Sequence, residues 1–346
     1  MTMNLKRFKQ VATRMIECGS PFLAVGGAGI GKTEVIKQAA AAAKQSLYYL
    51  HLPIHDPTDF KGVPMGLVKP DGTVECDFYP ADEMLFMQHA DEPCVVFADD
   101  IGQTPNSVQA AWMQVMHERR LSGKTISPHI TFVAATNRRK DKAGVQGLIT
   151  PLLDRQEFVL HLNVASDPWI EWGVQNGMPT WLTAFVRARP DLLIEAKPNQ
   201  DMKKSFSPRS AAALGRRFHD ETGAFDILRD KDMVQACIDE GTAGILHQFM
   251  RMMEHMVSPD EVIAHPTTVE IPEEADIRFG LMSALSARFD DRTTKPIFTF
   301  LNRFEDREFV MYCVRDALQR DRGLEKSKEY MQWASDNRDL LEVGSE

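Results

Sequence analysis

The chain has no apolar run near the roughly 18 residues that a membrane-spanning helix needs, so membrane insertion is not expected. Its five cysteines, Cys18, Cys76, Cys94, Cys237 and Cys313, include no CxxC pair. An odd, scattered set argues against both a disulfide framework and a zinc site, and a reducing cytoplasm is the expected compartment. The opening stretch MTMNLKRFKQVATRM has basic side chains but no apolar segment behind them, so no secretory leader is expected. Internal repeats and low-complexity tracts are also missing. So is any excess of positive charge, since the net charge is −9. Residues 1–163 carry 17 basic and 17 acidic side chains, and the remainder 23 and 32, which puts the whole excess in the second half. An acidic second half repels phosphates at long range and argues against nonspecific nucleic-acid binding through that surface, leaving only a narrow basic pore for such a role.

With 346 residues and 43% hydrophobic content, the chain can bury a core of two or three domains. In the first half, short β-rich runs alternate with helical patterns, as a parallel α/β sheet requires. Strands are expected at Phe22–Val25, Leu47–Leu52, Cys94–Ala98, Ile130–Ala135 and Phe158–Leu162. Pro70-Asp71-Gly72 between two apolar-containing runs predicts an inserted hairpin, and Leu121–Thr125 a smaller turn. From Ser166 onward the β signal fades. Helices are expected over 208–221, 231–256, 274–289, 306–320 and 325–337, with the proline-containing stretch 257–272 dividing them into two groups. His51 and His55 stand four apart, but one falls in a strand and the other in a loop, so a metal pair is not expected.

Between the first expected strand and an alanine-rich helix stands GGAGIGKTE, residues 26–34. A plain glycine-rich turn would not need a lysine and a threonine at the helix start. The spacing Gly26-x-x-x-x-Gly31-Lys32-Thr33 suits a phosphate cradle. Gly26, Gly27, Ala28, Gly29, Ile30 and Gly31 would present main-chain N–H groups, Lys32 would neutralise the anion, and Thr33 would offer a hydroxyl to Mg²⁺. Farther on, Val95-Val96-Phe97-Ala98-Asp99-Asp100 is an apolar strand ending in two carboxylates, at the sheet edge where ligands of α/β folds bind. Asp99 can hold Mg²⁺ and Asp100 can orient an attacking water. The strand Phe132–Ala135 runs into Thr136-Asn137, whose amide could help position that water if the two strands are neighbours.

This order of motifs resembles the AAA+ ATPases, and within them the MoxR-like group. The resemblance rests on FADDIGQTPNSVQAAWMQVMHERRLSG, FVAATN, LITPLLDRQEF and SFSPRSAAAL, and covers residues 21 to about 221. It implies an AAA+ P-loop NTPase core, a parallel sheet with flanking helices, over residues 1–163. An all-helical lid would follow over 164–256 and a helical C-terminal extension over 257–346. ATP and Mg²⁺ are the implied ligands, with ATP between core and lid. Lys32 and Thr33 match the phosphate-binding and magnesium-binding positions, Asp99 the second magnesium residue and Asn137 the first sensor. Arg155 matches the arginine finger that reaches a neighbouring subunit's site, and Arg209 the second sensor. A fixed charge on a planar fork suits both jobs.

The resemblance further implies a ring, most simply a hexamer, that remodels a protein client with a partner carrying a von Willebrand factor A domain. Two rival readings stand beside it: a motor or loader on DNA, for which Lys61, Lys69 or Lys124 would line a pore, and a nucleotide-gated scaffold that barely hydrolyses. The scaffold is suggested by a departure. The family usually has glutamate where Asp100 stands, which retracts the carboxylate by about 1.5 Å. Misplacement on that scale can cost ~100-fold in rate, so slow turnover is expected. The family's Ile-Asn-Arg is Ile101-Gly102-Gln103 here, and its Asp-Arg-Phe is interrupted as Asp154-Arg155-Gln156-Glu157-Phe158.

Overall fold

A computed structural model describes residues 2–138, 147–194, 204–219 and 225–339. Among these, ten strands occur: β1 (Thr2–Met3), β2 (Phe22–Gly26), β3 (Ser46–His51), β4 (Val63–Val68), β5 (Val74–Tyr79), β6 (Cys94–Asp99), β7 (Arg120–Leu121), β8 (Lys124–Thr125), β9 (Ile130–Asn137) and β10 (Val159–Leu162). The main sheet has the order β1-β10-β2-β9-β6-β3, and every neighbouring pair in it is parallel. Contacts divide the described residues into two compact units, one ending at Val164 and the other beginning at Ala165.

The inner strands are covered on both faces, which explains why their sequences read as continuous apolar runs rather than alternating ones. Successive side chains go to opposite sides. Leu23, Val96, Ala98, Phe132 and Ala134 join one core, built around Trp112. Phe22, Ala24, Val95, Phe97, Val133 and Ala135 join the other, with Phe8 and Ile36. The expected architecture, a parallel sheet with flanking helices followed by a helical second half, is the one observed among the described residues. The five expected strands are found to within two residues at each end. The short edge strand β1 was not anticipated, because two residues carry no periodic signal. Leu52, expected to end β3, instead opens a 3₁₀ turn with Pro53.

The expected hairpin is β4–β5, closed at Gly72, whose φ of +82° is the left-handed conformation the turn requires. It is exposed along its length, including Val63, Met65, Leu67, Val68 and Val74. Two ion pairs involve its charged groups: Lys69 with Glu75 at 2.6 Å within the hairpin, and Asp77 with Lys124 of β8 at 3.4 Å.

The second unit is helical throughout its described residues, but its segmentation differs from expectation. The 231–256 segment is two helices, Lys231–Cys237 and Glu240–Met253, because the Asp239 side chain accepts from Thr242 N and caps a new start. The 257–272 stretch contains a helix, Pro259–Ala264, capped by Ser258, and another unanticipated helix runs from Thr294 to Leu301. Pro259 and Pro296 both sit in a first turn, where a missing N–H costs no intrahelical bond. Reading the proline-containing stretch 257–272 as a divider without a helix was the error. The cysteines are all unpaired, and no helix among the described residues is long and apolar enough to cross a membrane.

Of the ion pairs among the described residues of the second unit, one is almost fully buried. Arg187, on helix Thr180–Ala188, makes two parallel hydrogen bonds of 2.8 and 2.9 Å to Asp316 on helix Arg307–Arg320. Its guanidinium also lies 4.7 Å from the Tyr312 ring centroid. The two side chains are 3% and 1% exposed, so neither charge can fall back on water. Removing one partner strands the other. Asp316→Ala is therefore expected to cost about 3–5 kcal/mol of stability. Urea or thermal unfolding would check this, and a loss under about 1 kcal/mol would show that Arg187 finds other acceptors.

Candidate functional site

The site lies within the first unit, where β2, β9 and β6 stand side by side and all point the same way. Their carboxyl ends therefore deliver the glycine loop, Asn137 and the Asp99–Asp100 pair to one edge. Register makes this specific: Gly26 faces Asn137, and Ala98 faces Ala134. Asn137 on a neighbour of the acidic strand is the arrangement the sequence required.

The loop leaves β2 at a crowded point. A Cβ on Gly26 would lie 2.6 Å from Ile30 Cδ1 and 3.2 Å from Leu162 Cβ, so a side chain there would push the loop off the sheet. At the other end Gly31 adopts φ +102° as the N-cap of helix Lys32–Ala42, with no side chain capping the helix start. An uncapped N-terminus leaves backbone donors and the positive end of the helix dipole for an anion.

Lys32 is 7% exposed, and its ammonium donates to Gly27 O at 2.8 Å, Gly26 O at 3.1 Å and Asn137 Oδ1 at 2.7 Å. The Asn137 amide donates in turn to Asp100 Oδ1 at 3.3 Å. Beside this chain, Thr33 Oγ1 donates to Asp99 Oδ2 at 2.7 Å, and Asp100 N donates to Asp99 Oδ1 at 2.9 Å. Asp100 sits at φ +55°, ψ +32°, a left-handed conformation that costs a non-glycine residue energy, least for Asp and Asn. That sharp turn sends the chain from β6 into the 3₁₀ turn Ile101–Gln103 and leaves the Asp100 carboxylate beside Asn137. The structure thus brings together Lys32, Thr33, Asp99, Asp100 and Asn137.

Two of the expected site residues stand elsewhere. Arg155, the C-cap of helix Thr150–Asp154, is exposed, and its guanidinium donates to Pro151 O at 3.0 Å. Arg209 belongs to the second unit, as the exposed second residue of helix Pro208–Arg217, capped by Ser207. Among the described residues no cluster of three His, Cys, Asp or Glu side chains could hold a metal by itself. His55 is taken by Asp59, with Nδ1 3.0 Å from Oδ2.

Three contributors were not foreseen. Tyr49 OH donates to Asp99 Oδ2 at 3.3 Å, Gln103 Nε2 donates to Asp100 Oδ1 at 3.4 Å, and His51 Nδ1 lies 4.0 Å from Asp100 Oδ2. The signal was present in β3: Tyr49 and His51 are two apart, hence on one face, at the end of a strand in register with β6.

As a donor set, these groups fit a nucleotide polyphosphate with a hard divalent cation. The loop and Lys32 supply positive charge, and the Thr33 hydroxyl and Asp99 carboxylate supply the oxygens that Mg²⁺ prefers. No protein-family model matches the chain, and no curated relative was found. Among solved structures the chain is similar to the Thermotoga maritima RuvB Holliday junction branch migration motor, at 16% identity over 76% of this chain and 75% of that chain, with a TM-score of 0.39. It is also similar to NtrX from Brucella abortus in complex with ADP, at 12% identity over 98% of this chain and 68% of that chain, TM-score 0.36. Likenesses this weak carry no argument, and the fold class rests on the strand order and the loop.

Lys32→Ala is expected to abolish binding of a nucleoside triphosphate, because it removes a buried cation held against the loop. Direct titration with a fluorescent ATP analogue checks it; an unchanged affinity would take the phosphate-binding role away from the loop.

Proposed function

We propose that the chain is a Mg²⁺-dependent AAA+ ATPase of MoxR-like type that assembles as a ring, most simply a hexamer, and uses ATP hydrolysis to remodel a protein client. The observation that carries this reading is the single cluster in which Lys32, Asn137 and Asp100 form one hydrogen-bonded chain beside the Thr33–Asp99 pair. It supports phosphate binding, cation binding and water orientation at one sheet edge. Magnesium, when held there, would offset charge on the β- and γ-phosphate oxygens. The Lys32 ammonium would exchange loop carbonyls for phosphate oxygens, while Thr33 and Asp99 keep their mutual bond and turn their remaining lone pairs to the cation.

Asn137 holds Asp100 Oδ1 and so fixes the carboxylate plane, leaving the group to orient and polarise water in line with the γ-phosphate. The aspartate remains shorter than the family's glutamate, and turnover is expected to be slow. Asp100→Asn should keep ATP affinity and lower the single-turnover hydrolysis rate about 100-fold, since the amide can still bond water but carries no charge. If the rate holds, another residue orients the water. A rate already at background in the unsubstituted chain would favour the nucleotide-gated scaffold. The same variant, loaded with ATP, is the trap for the client: a co-purifying protein, such as one with a von Willebrand factor A domain, supports remodelling, and bound DNA supports a motor instead.

A protein client is preferred to DNA because of the hairpin. Lys69 and Lys124 are each paired with a carboxylate, and Lys61 lies 5.9 Å from the Phe78 ring centroid. What the hairpin leaves exposed is mostly apolar.

Within this reading, residues 164–256 act as the lid that carries Arg209 and residues 257–346 as an extension, assignments that rest on the motif order. Arg155 serves as a finger in trans, which its exposure permits. A ring in which Arg155 completes the neighbour's site makes a particular prediction. Arg155→Ala and Lys32→Ala subunits, each inactive alone, should recover partial ATPase activity when mixed, because some interfaces pair an intact loop with an intact finger. Co-purification of differently tagged chains must first show mixed assembly. Mixed rings without recovery would make Arg155 structural.

A further inference from the structure

We infer that Tyr49 is a positioning residue for the cation site: its phenol holds the Asp99 carboxylate at the angle from which it can share a divalent cation with Thr33. This rests on the ATPase reading above. Asp99 Oδ2 accepts from two directions, from Thr33 Oγ1 at 2.7 Å on the helix side and from Tyr49 OH at 3.3 Å on the β3 side, while Oδ1 accepts from Asp100 N. With both oxygens engaged, the carboxylate cannot swing about its χ2 bond without breaking a contact.

The Tyr49 ring is itself held on two sides. Phe97 meets it edge-on at 5.7 Å between centroids, and Lys37 Nζ lies 5.5 Å from its centroid. Lys37 is four residues after Thr33 and therefore on the same face of helix Lys32–Ala42. One helix face thus grips both the carboxylate, through Thr33, and the ring that orients it, through Lys37. Tyr49 is 45% exposed, so its hydroxyl could be satisfied by water alone. A phenol with water available that nonetheless lies against Asp99 acts on the carboxylate rather than serving its own solvation. The chemistry gives it leverage: Mg²⁺ demands near-octahedral geometry and tolerates misdirected ligands poorly, and outer hydrogen bonds that orient a ligand commonly govern metal affinity.

The test is Tyr49→Phe, which removes the hydroxyl and keeps the ring between Phe97 and Lys37. A fluorescent ATP analogue is titrated into the full chain at increasing Mg²⁺, and separately in EDTA. The Mg²⁺ concentration that half-completes the cation-dependent gain in affinity should rise about tenfold, with affinity in EDTA unchanged. A merely structural tyrosine would not separate the two, and the thermal midpoint, read alongside, should stay put. An unmoved Mg²⁺ midpoint overturns the proposal. So does an equal loss of affinity with and without the cation. If the unsubstituted chain binds the analogue with no response to Mg²⁺, the cation-dependent reading of the whole site fails, and Tyr49's role with it.

Discussion

A lysine that is only 7% exposed must have its ammonium surrounded by oxygen, and the site is arranged around that need. Lys32 cannot be satisfied by its own loop alone. Two acceptors are carbonyls of Gly26 and Gly27, and the third is Asn137, 105 residues away on the adjoining strand. That third bond exists only if β9 is parallel to β2 with Asn137 opposite Gly26. The register of the sheet and the placement of the cation are therefore one constraint. A slip of one residue would turn Asn137 to the other face and move Val133 and Ala135 out of their core.

The strands and the loop were legible because their causes are local. Parallel strands buried on both faces leave unbroken apolar runs, and a tight strand-to-helix turn needs glycine where Gly31 reaches φ +102°. The carboxylates and Asn137 could be read as strand ends, and β2, β9 and β6 do lie together. The side-chain partners of those groups were less accessible. Tyr49 and His51 look like ordinary members of a half-exposed strand, and only the pairing of β3 with β6 turns them toward the acidic pair. Gln103 reads as a lost arginine, whereas its amide lies against Asp100.

In the helical half the difficulty was of another kind. Proline has opposite meanings at the first turn and in the interior of a helix, and composition does not distinguish them. Pro259 follows a capping serine, a local clue that was present; the division at Asp239 likewise depended on reading an aspartate as a cap rather than as a solvated charge. The position of Asp100 in the left-handed region had no clue in the sequence. Its backbone is set by the sharp passage from β6 into the following turn.

The buried Arg187–Asp316 pair also bears on how the chain is made. The two residues are 129 positions apart, so at ordinary synthesis speeds of about 5–20 residues per second the arginine emerges on the order of ten seconds before its carboxylate. The described strands of the first unit's sheet all precede Val164, so that sheet can form while translation continues. The second cannot finish its core in that interval, because closing it would bury an unpaired guanidinium. A nascent chain stalled before helix Arg307–Arg320 would thus hold a completed sheet attached to a set of sticky, incompletely packed helices, the form that chaperones retain and proteases clear.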